Sequence, residues 1–136
     1  MDITKLDQHF EYVFSISQDE VNRFALLTGD TNPIHTDHEY AAKTIFGKPI
    51  IHGYFGTSVF SKVFGTMFPG EGTIYLEQTL QFMAPMFVDQ TYTAKFKVIE
   101  LPGKNKAKVE TTIVDATTNK TCVQGQALIL NKSRVI

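Results

Sequence analysis

The chain of 136 residues has 43% apolar side chains and eleven Phe, enough for one domain with a sizeable core and too little for two. Its formal net charge of −1, with no long run of like charges, lacks the electrostatic footprint of a nucleic-acid or anionic-membrane binder, so small molecules are the expected partners. A lone Cys122 excludes an intrachain disulfide and a cysteine-built zinc site, and suits a reducing cytoplasm. The N-terminal stretch MDITKLDQHFEY has neither the basic-then-apolar order of a signal peptide nor the Arg-rich character of a transit peptide, and no run reaches membrane-spanning length.

In chain order, His9 to Ser15 alternates Phe10, Tyr12 and Phe14 with Glu11 and Val13, which predicts a short strand with one buried face. Ser17-Gln18-Asp19-Glu20 forms a capping box. Val21, Phe24, Ala25 and Thr28 follow at helical spacing until Gly29 stops the helix. The polar turn GDTNPIHTD comes next, in which Pro33 fixes its own φ and biases Asn32 toward extended geometry. Thr36-Asp37-His38-Glu39 reads as a second capping box, opening a short helix through Ala42, and Phe46 to Pro49 ends it.

The stretch from Ile50 to Phe68 is too apolar for a surface helix and too short to cross a membrane, so a central buried helix is expected. Phe55, Val59, Val63 and Met67 make one i, i+4 row, with Phe60, Phe64 and Phe68 beside it. Lys62 is its one charge. The remaining arc, Gly56, Thr57, Ser58, Ser61 and Gly65, is small and permits close approach by another backbone or a ligand. His52 and Gly53 precede it, placing free N–H groups and the positive end of the helix dipole where an anion can be held.

After Pro69 to Gly72 the period switches to two. A strand with Ile74, Leu76, Leu80 and Phe82 on one face is followed by strands at Thr91 to Glu100, Ala107 to Asp115 and Thr121 to Leu130, and the last six residues read as a fray. One long helix and four meandering strands predict an α+β architecture in which an antiparallel sheet folds round the helix, with residues 1–136 as one domain.

The densest polar constellation is Asp30-Thr31-Asn32-Pro33-Ile34-His35, a carboxylate and an imidazole on one rigid turn, both within reach of a single water. A reaction that activates water and returns a proton needs two such groups. Asp and Asn after a helix are also ordinary turn formers, so the pattern alone admits a structural role. Asp30, His35, Asp37, His38 and His52 include metal-ligand types, but no His-x3-His or Cys pair is present, and neither a metal nor another cofactor is expected. His52 has a capping or packing role open to it beside ligand contact, and Ser58 a spacing role.

The turn from Gly29 to His35, followed by Asp37, Ala41-Ala42, Phe46-Gly47 and then Ile50-Ile51-His52-Gly53 before an apolar helix, resembles the MaoC-like (R)-specific enoyl-CoA hydratases over roughly Phe10 to Leu130. The resemblance implies a hot-dog fold, a homodimer or higher oligomer of dimers, and a trans-2-enoyl thioester of CoA or an acyl carrier as substrate. By residue it implies Asp30 and His35 as the catalytic pair, Gly53 as the oxyanion donor, Asn32 bracing the turn, and His52 and Ser58 as substrate contacts. At Val88-Asp89-Gln90 the chain lacks the Gly often seen there in that family.

Two other functions compete. A thioesterase of the same fold commonly carries a carboxylate on its central helix, and Tyr54 to Phe68 contains no Asp or Glu. A non-catalytic acyl-thioester module would have no need of both Asp30 and His35. Chain length, the choice between CoA and carrier protein, and the pathway served leave no mark in the sequence.

Overall fold

The computed structural model describes residues 1–136. Strand β1 (His9–Phe14) leads into α1 (Gln18–Thr28), the short helices α2 (Pro33–Thr36) and α3 (His38–Ala42), and the long helix α4 (Gly53–Thr66). Five strands then follow: β2 (Ile74–Gln78), β3 (Gln81–Phe82), β4 (Tyr92–Gly103), β5 (Lys106–Asp115) and β6 (Thr121–Leu130). They form one antiparallel sheet in the order β1-β4-β5-β6-β2, with β3 also paired to β6.

Local chemistry accounts for most boundaries. At α1 the Ser17 side chain accepts from the Glu20 N–H while the Glu20 carboxylate accepts from the Ser17 N–H at 3.0 Å, so the predicted capping box is present. Gly29 ends α1 in the left-handed region at φ 81°, where a side chain would be strained. Lys104 and Asn105 both have positive φ, 54° and 60°, and close the β4–β5 hairpin as a two-residue turn whose twist matches the strands.

The core is α4 against the inward row of β4. Tyr92, Ala94, Phe96 and Val98 are buried at every second position, as the alternation requires. Phe96 meets Phe60, Phe64 and Phe68 edge-on, with ring centroids 5.7, 5.3 and 6.4 Å apart. Such pairs contribute roughly 0.5–1.5 kcal/mol each beyond the area they bury, so this one strand residue holds three turns of the helix region to the sheet.

Several expectations are corrected. The second cap shifts by one residue: Asp37, not Thr36, accepts from the Tyr40 N–H at 3.1 Å, because Thr36 is already used by α2. The first post-helical strand divides into β2 and β3, which bulge at Tyr75–Glu77 and then cross Gly125 of β6 so closely that a Cβ there would lie 1.8 Å from the Thr79 carbonyl oxygen. Five strands therefore follow α4, not four, and only β4-β5-β6 is a meander. The apolar face of β2 and β3 is uncovered within the chain: Ile74, Leu76 and Phe82 are 54%, 43% and 53% exposed. Helix α4 is likewise buried on one side, with Tyr54, Ser58, Ser61 and Lys62 exposed on the other. The C-terminal residues are not frayed. Asn131 and Val135 are buried and Val135 bridges to Ile3.

Candidate active site

The site is assembled where α1, α2 and the start of α4 meet. Gly29 turns the chain back, and Asn32 then caps α2, its side-chain oxygen accepting from the Ile34 N–H at 3.3 Å with Pro33 as the first helical residue. A single helical turn brings His35 over the segment that enters α4. There the Ile50 N–H donates to the Ile34 carbonyl at 3.2 Å, and His35 Nδ1 donates to the Ile50 carbonyl at 2.8 Å. A carbonyl only accepts, so this bond puts the proton on Nδ1 and leaves the lone pair of a neutral His35 on Nε2.

Asp30 is exposed and His35 is half-buried. An oxygen of the Asp30 carboxylate and ring nitrogens of His35 and His52 lie within 4.8 Å of one another. His52 is 2% exposed and donates from Nε2 to the Asp30 main-chain carbonyl at 3.0 Å. Its ring stacks on that of His35 at 3.9 Å with the planes 25° apart. Nearly parallel stacked rings send their in-plane lone pairs side by side rather than to one point, so this pair is poorly disposed to grip a shared metal ion. Burial, first, and then the nearness of His35 push the His52 pKa down, against an opposing pull from the Asp30 carbonyl.

Gly53 is the first residue of α4, and no side chain caps that end. Its N–H has no partner in the protein and sits at the positive end of the helix dipole. Two cavities share the His52, Gly53 and Phe82 wall. One, of about 420 Å³, is lined by His35 and by apolar residues including Ile51, Met83 and Met86; the other, of about 430 Å³, reaches Asp30, Thr28 and Phe24.

Asp30, Asn32, His35, His52 and Gly53 are thus brought together. Ser58 is not. Its hydroxyl donates to the Phe55 carbonyl at 2.6 Å, and it lies on the exposed flank of α4 between grooves reaching Lys62 on one side and Leu80 on the other. Asp37 is used as a cap and His38 is exposed. Three contributors escape sequence reasoning. The Ile50 carbonyl acts through the main chain and has no residue signature. Gln18 braces α2 by donating to the His35 carbonyl at 2.9 Å. Phe24, one of the residues at helical spacing along α1, stacks on Phe55 and packs against His52 at ring distances of 4.7 Å each, which periodicity cannot specify.

A long helix cradled by a curled antiparallel sheet, with this polar turn at the helix N-terminus, defines a hot-dog protein of the hydratase–dehydratase class. The family model described as "MaoC like domain" matches residues 3–121, and the chain belongs to the MaoC-like family. It is 39% identical over 110 residues to the (R)-specific enoyl-CoA hydratase of Aeromonas caviae, covering 81% of this chain and 82% of that one. To the 3-hydroxybutyryl-CoA dehydratase of Methylorubrum extorquens it is 38% identical over 115 residues, covering 84% and 72%. The unliganded R-hydratase of Pseudomonas aeruginosa superposes with a TM-score of 0.88 at 35% identity, over 93% of this chain and 81% of that one. No helix is long and apolar enough to cross a membrane.

Proposed function

We propose that this chain is an (R)-specific enoyl-CoA hydratase, running in reverse as a 3-hydroxyacyl-thioester dehydratase, with residues 1–136 acting as one domain. The observation that carries the reading is the meeting of the Asp30 carboxylate, the His35 ring and the uncapped Gly53 N–H around cavities that share one wall.

In this mechanism Asp30 accepts one O–H of a water and aims its oxygen at C3 of a trans-2-enoyl thioester of CoA or an acyl carrier. As the oxygen adds, His35 Nε2 takes the second proton and the C2–C3 π pair shifts onto the thioester oxygen. The Gly53 N–H, at the positive end of α4, stabilises that developing charge. The enolate then collapses and His35 returns the same proton to C2, so one water is added and no cofactor is consumed. Both groups stand on one turn, which delivers hydroxyl and proton from the same face. Asn32 braces the turn by capping α2. The family resemblance makes His52 and Ser58 substrate contacts; Ser58 becomes one in this reading only where the acyl chain follows the outer flank of α4.

The uncovered apolar surface of β2 and β3, with Tyr54 edge-on to Phe82 beside it, suits burial against a second copy in a homodimer or an oligomer of dimers. A species sedimenting at 15.3 kDa at working concentrations would refute the dimer. One buried thiol fits a cytoplasmic setting. The thioesterase alternative is disfavoured because α4 carries no Asp or Glu.

The test is hydration of a short trans-2-enoyl-CoA, read as loss of the conjugated enoyl absorbance. Asp30→Asn and His35→Ala are each expected to slow it by about 10²–10⁴-fold with unchanged circular dichroism. Release of free CoA would assign a thioesterase instead, and neither activity across chain lengths and carriers would leave a binding module.

A further inference from the structure

His52 has more contacts with the catalytic pair than a residue lining a pocket requires. It donates to the main chain of Asp30 at 3.0 Å, stacks on the ring of His35 at 3.9 Å, and is backed by Phe24 of α1 at 4.7 Å. Phe24 lies parallel to Phe55 at 4.7 Å, which ties the group to α4. A single side chain thus connects both halves of the pair to the helix that carries Gly53. Asp30 is otherwise held only by long bonds: its N–H donates to Thr28 Oγ1 at 3.3 Å and its carboxylate accepts from the Asn32 N–H at 3.4 Å.

We propose that His52 is a positioning residue, a neutral imidazole that fixes the Asp30 main chain and the His35 ring in one geometry and supplies a π face on which His35 rests when it carries a proton. The inference rests on the hydratase reading above. Its chemistry follows from the hydrogen bonds. The Asp30 carbonyl requires a proton on Nε2 of His52, and Nδ1 is buried without any partner, so the neutral Nε2–H tautomer is the one the surroundings accept. The titratable groups against the ring are Asp30, from the turn, and His35, from α2; α1 contributes the uncharged Phe24. When His35 takes the proton of the water, a neutral stacked ring attracts the cation, whereas a second imidazolium would repel it.

Two substitutions separate the two contacts. His52→Gln keeps an N–H donor near the Nε2 position and loses the stacked ring; His52→Phe keeps the ring and loses the donor. A misplacement of about 1 Å at a reacting group costs on the order of 10²-fold in rate. The expected result for His52→Phe is therefore a fall in kcat of about that size with KM within about threefold of wild type. His52→Gln is expected to recover part of that loss, and its acid limb in kcat against pH to differ from wild type because the stacked partner of His35 is gone. A raised KM at unchanged kcat in both variants would make His52 a substrate contact and overturn the proposal, as would unchanged kinetics in both.

Imidazole ¹⁵N NMR of the wild-type protein supplies a measurement independent of variant folding. His52 should show a protonated Nε2 and a bare Nδ1, and should stay neutral as pH falls past the ordinary histidine value of 6.5. A protonated Nδ1, or charging at or above that ordinary value, overturns the proposal. If the wild type hydrates no enoyl-CoA, the functional reading fails by that assay, while the NMR result still decides the tautomer and neutrality of His52.

Discussion

Two polar clusters, one centred on Asn131 and one on Asp30, use similar side chains in opposite ways. Asn131 is 2% exposed and fully engaged. Its amide N–H groups donate to the Gly70 and Glu71 carbonyls and to Thr73 Oγ1, while its oxygen accepts from the Ser133 and Arg134 N–H groups. Around Asp30 capacity is left over: His35 Nε2 and the Gly53 N–H have no protein partner, while the unpartnered His52 Nδ1 is buried out of a reactant's reach. Saturated groups hold the chain in place. Unsaturated ones beside a cavity have bonds to offer a reacting molecule, and the lack of alternative partners keeps them available.

The largest effect expected from sharpening this contrast is at Gly53. Proline is tolerated at a first helical position, and His52, at φ −52° and ψ 132°, already has the extended geometry a residue before proline needs. Gly53→Pro therefore removes the N–H while keeping the helix start, its ring Cδ standing where the hydrogen pointed. Gly53→Ala is the control, since its Cβ makes the same close approach of 2.8 Å to the exposed Phe82 ring but retains the donor. Hydration by Gly53→Pro is expected to fall about 10²–10³-fold below Gly53→Ala, as for loss of one oxyanion donor. Equal rates in the two variants would remove Gly53 from the mechanism.

On the saturated side, Asn131→Ala should leave the rate per folded molecule unchanged and cost about 2–3 kcal/mol of stability, because the buried Gly70 carbonyl, the part-buried Glu71 carbonyl and two part-buried N–H groups lose their partner. That corresponds to a fall of roughly 10 °C in melting temperature. A melting point within a degree or two of wild type would mean that water replaces the amide freely.

Legibility in the sequence follows the same division. Most of what rests on local chemistry could be read directly: the Ser17–Glu20 capping box, the stop at Gly29, the alternation in β4, and the placing of Asp30, Asn32 and His35 on one rigid turn. Apart from the second cap, displaced by one residue from Thr36 to Asp37, the misreadings involve partners distant in the chain. Asn131 looked like part of a fray because the carbonyls it reaches belong to residues about sixty positions earlier. The division of β2 from β3 depends on a crossing over Gly125, and the exposed apolar row at Ile74, Leu76 and Phe82 alternates just as a buried one does, so the period indicates a face without saying what covers it. At the site the residue types were visible, but the stacking of His52 on His35 and the main-chain bond that sets the His35 tautomer were not, since neither follows from spacing.

The smallest predicted effect concerns a second saturated group, Asp115, at the end of β5. Its Oδ1 accepts from the Thr117 and Thr118 N–H groups at 2.8 and 3.1 Å, and its Oδ2 accepts from Gln90 Nε2 at 2.7 Å. The N–H groups of Thr118 and then Thr117 are the main cause holding its carboxyl below the ordinary value of 3.8. A carboxylate whose folded pKa is depressed adds stability that is fully present above its unfolded pKa and is lost as pH falls through the folded one. Asp115→Asn removes this titration, so the stability gap between wild type and variant should be constant above about pH 5 and narrow progressively below about pH 4. Urea midpoints measured across that range provide the check. A gap that stays constant to pH 2.5 would show that the turn N–H groups bind the charged and neutral forms of Asp115 equally well, and that saturation here acts through geometry alone.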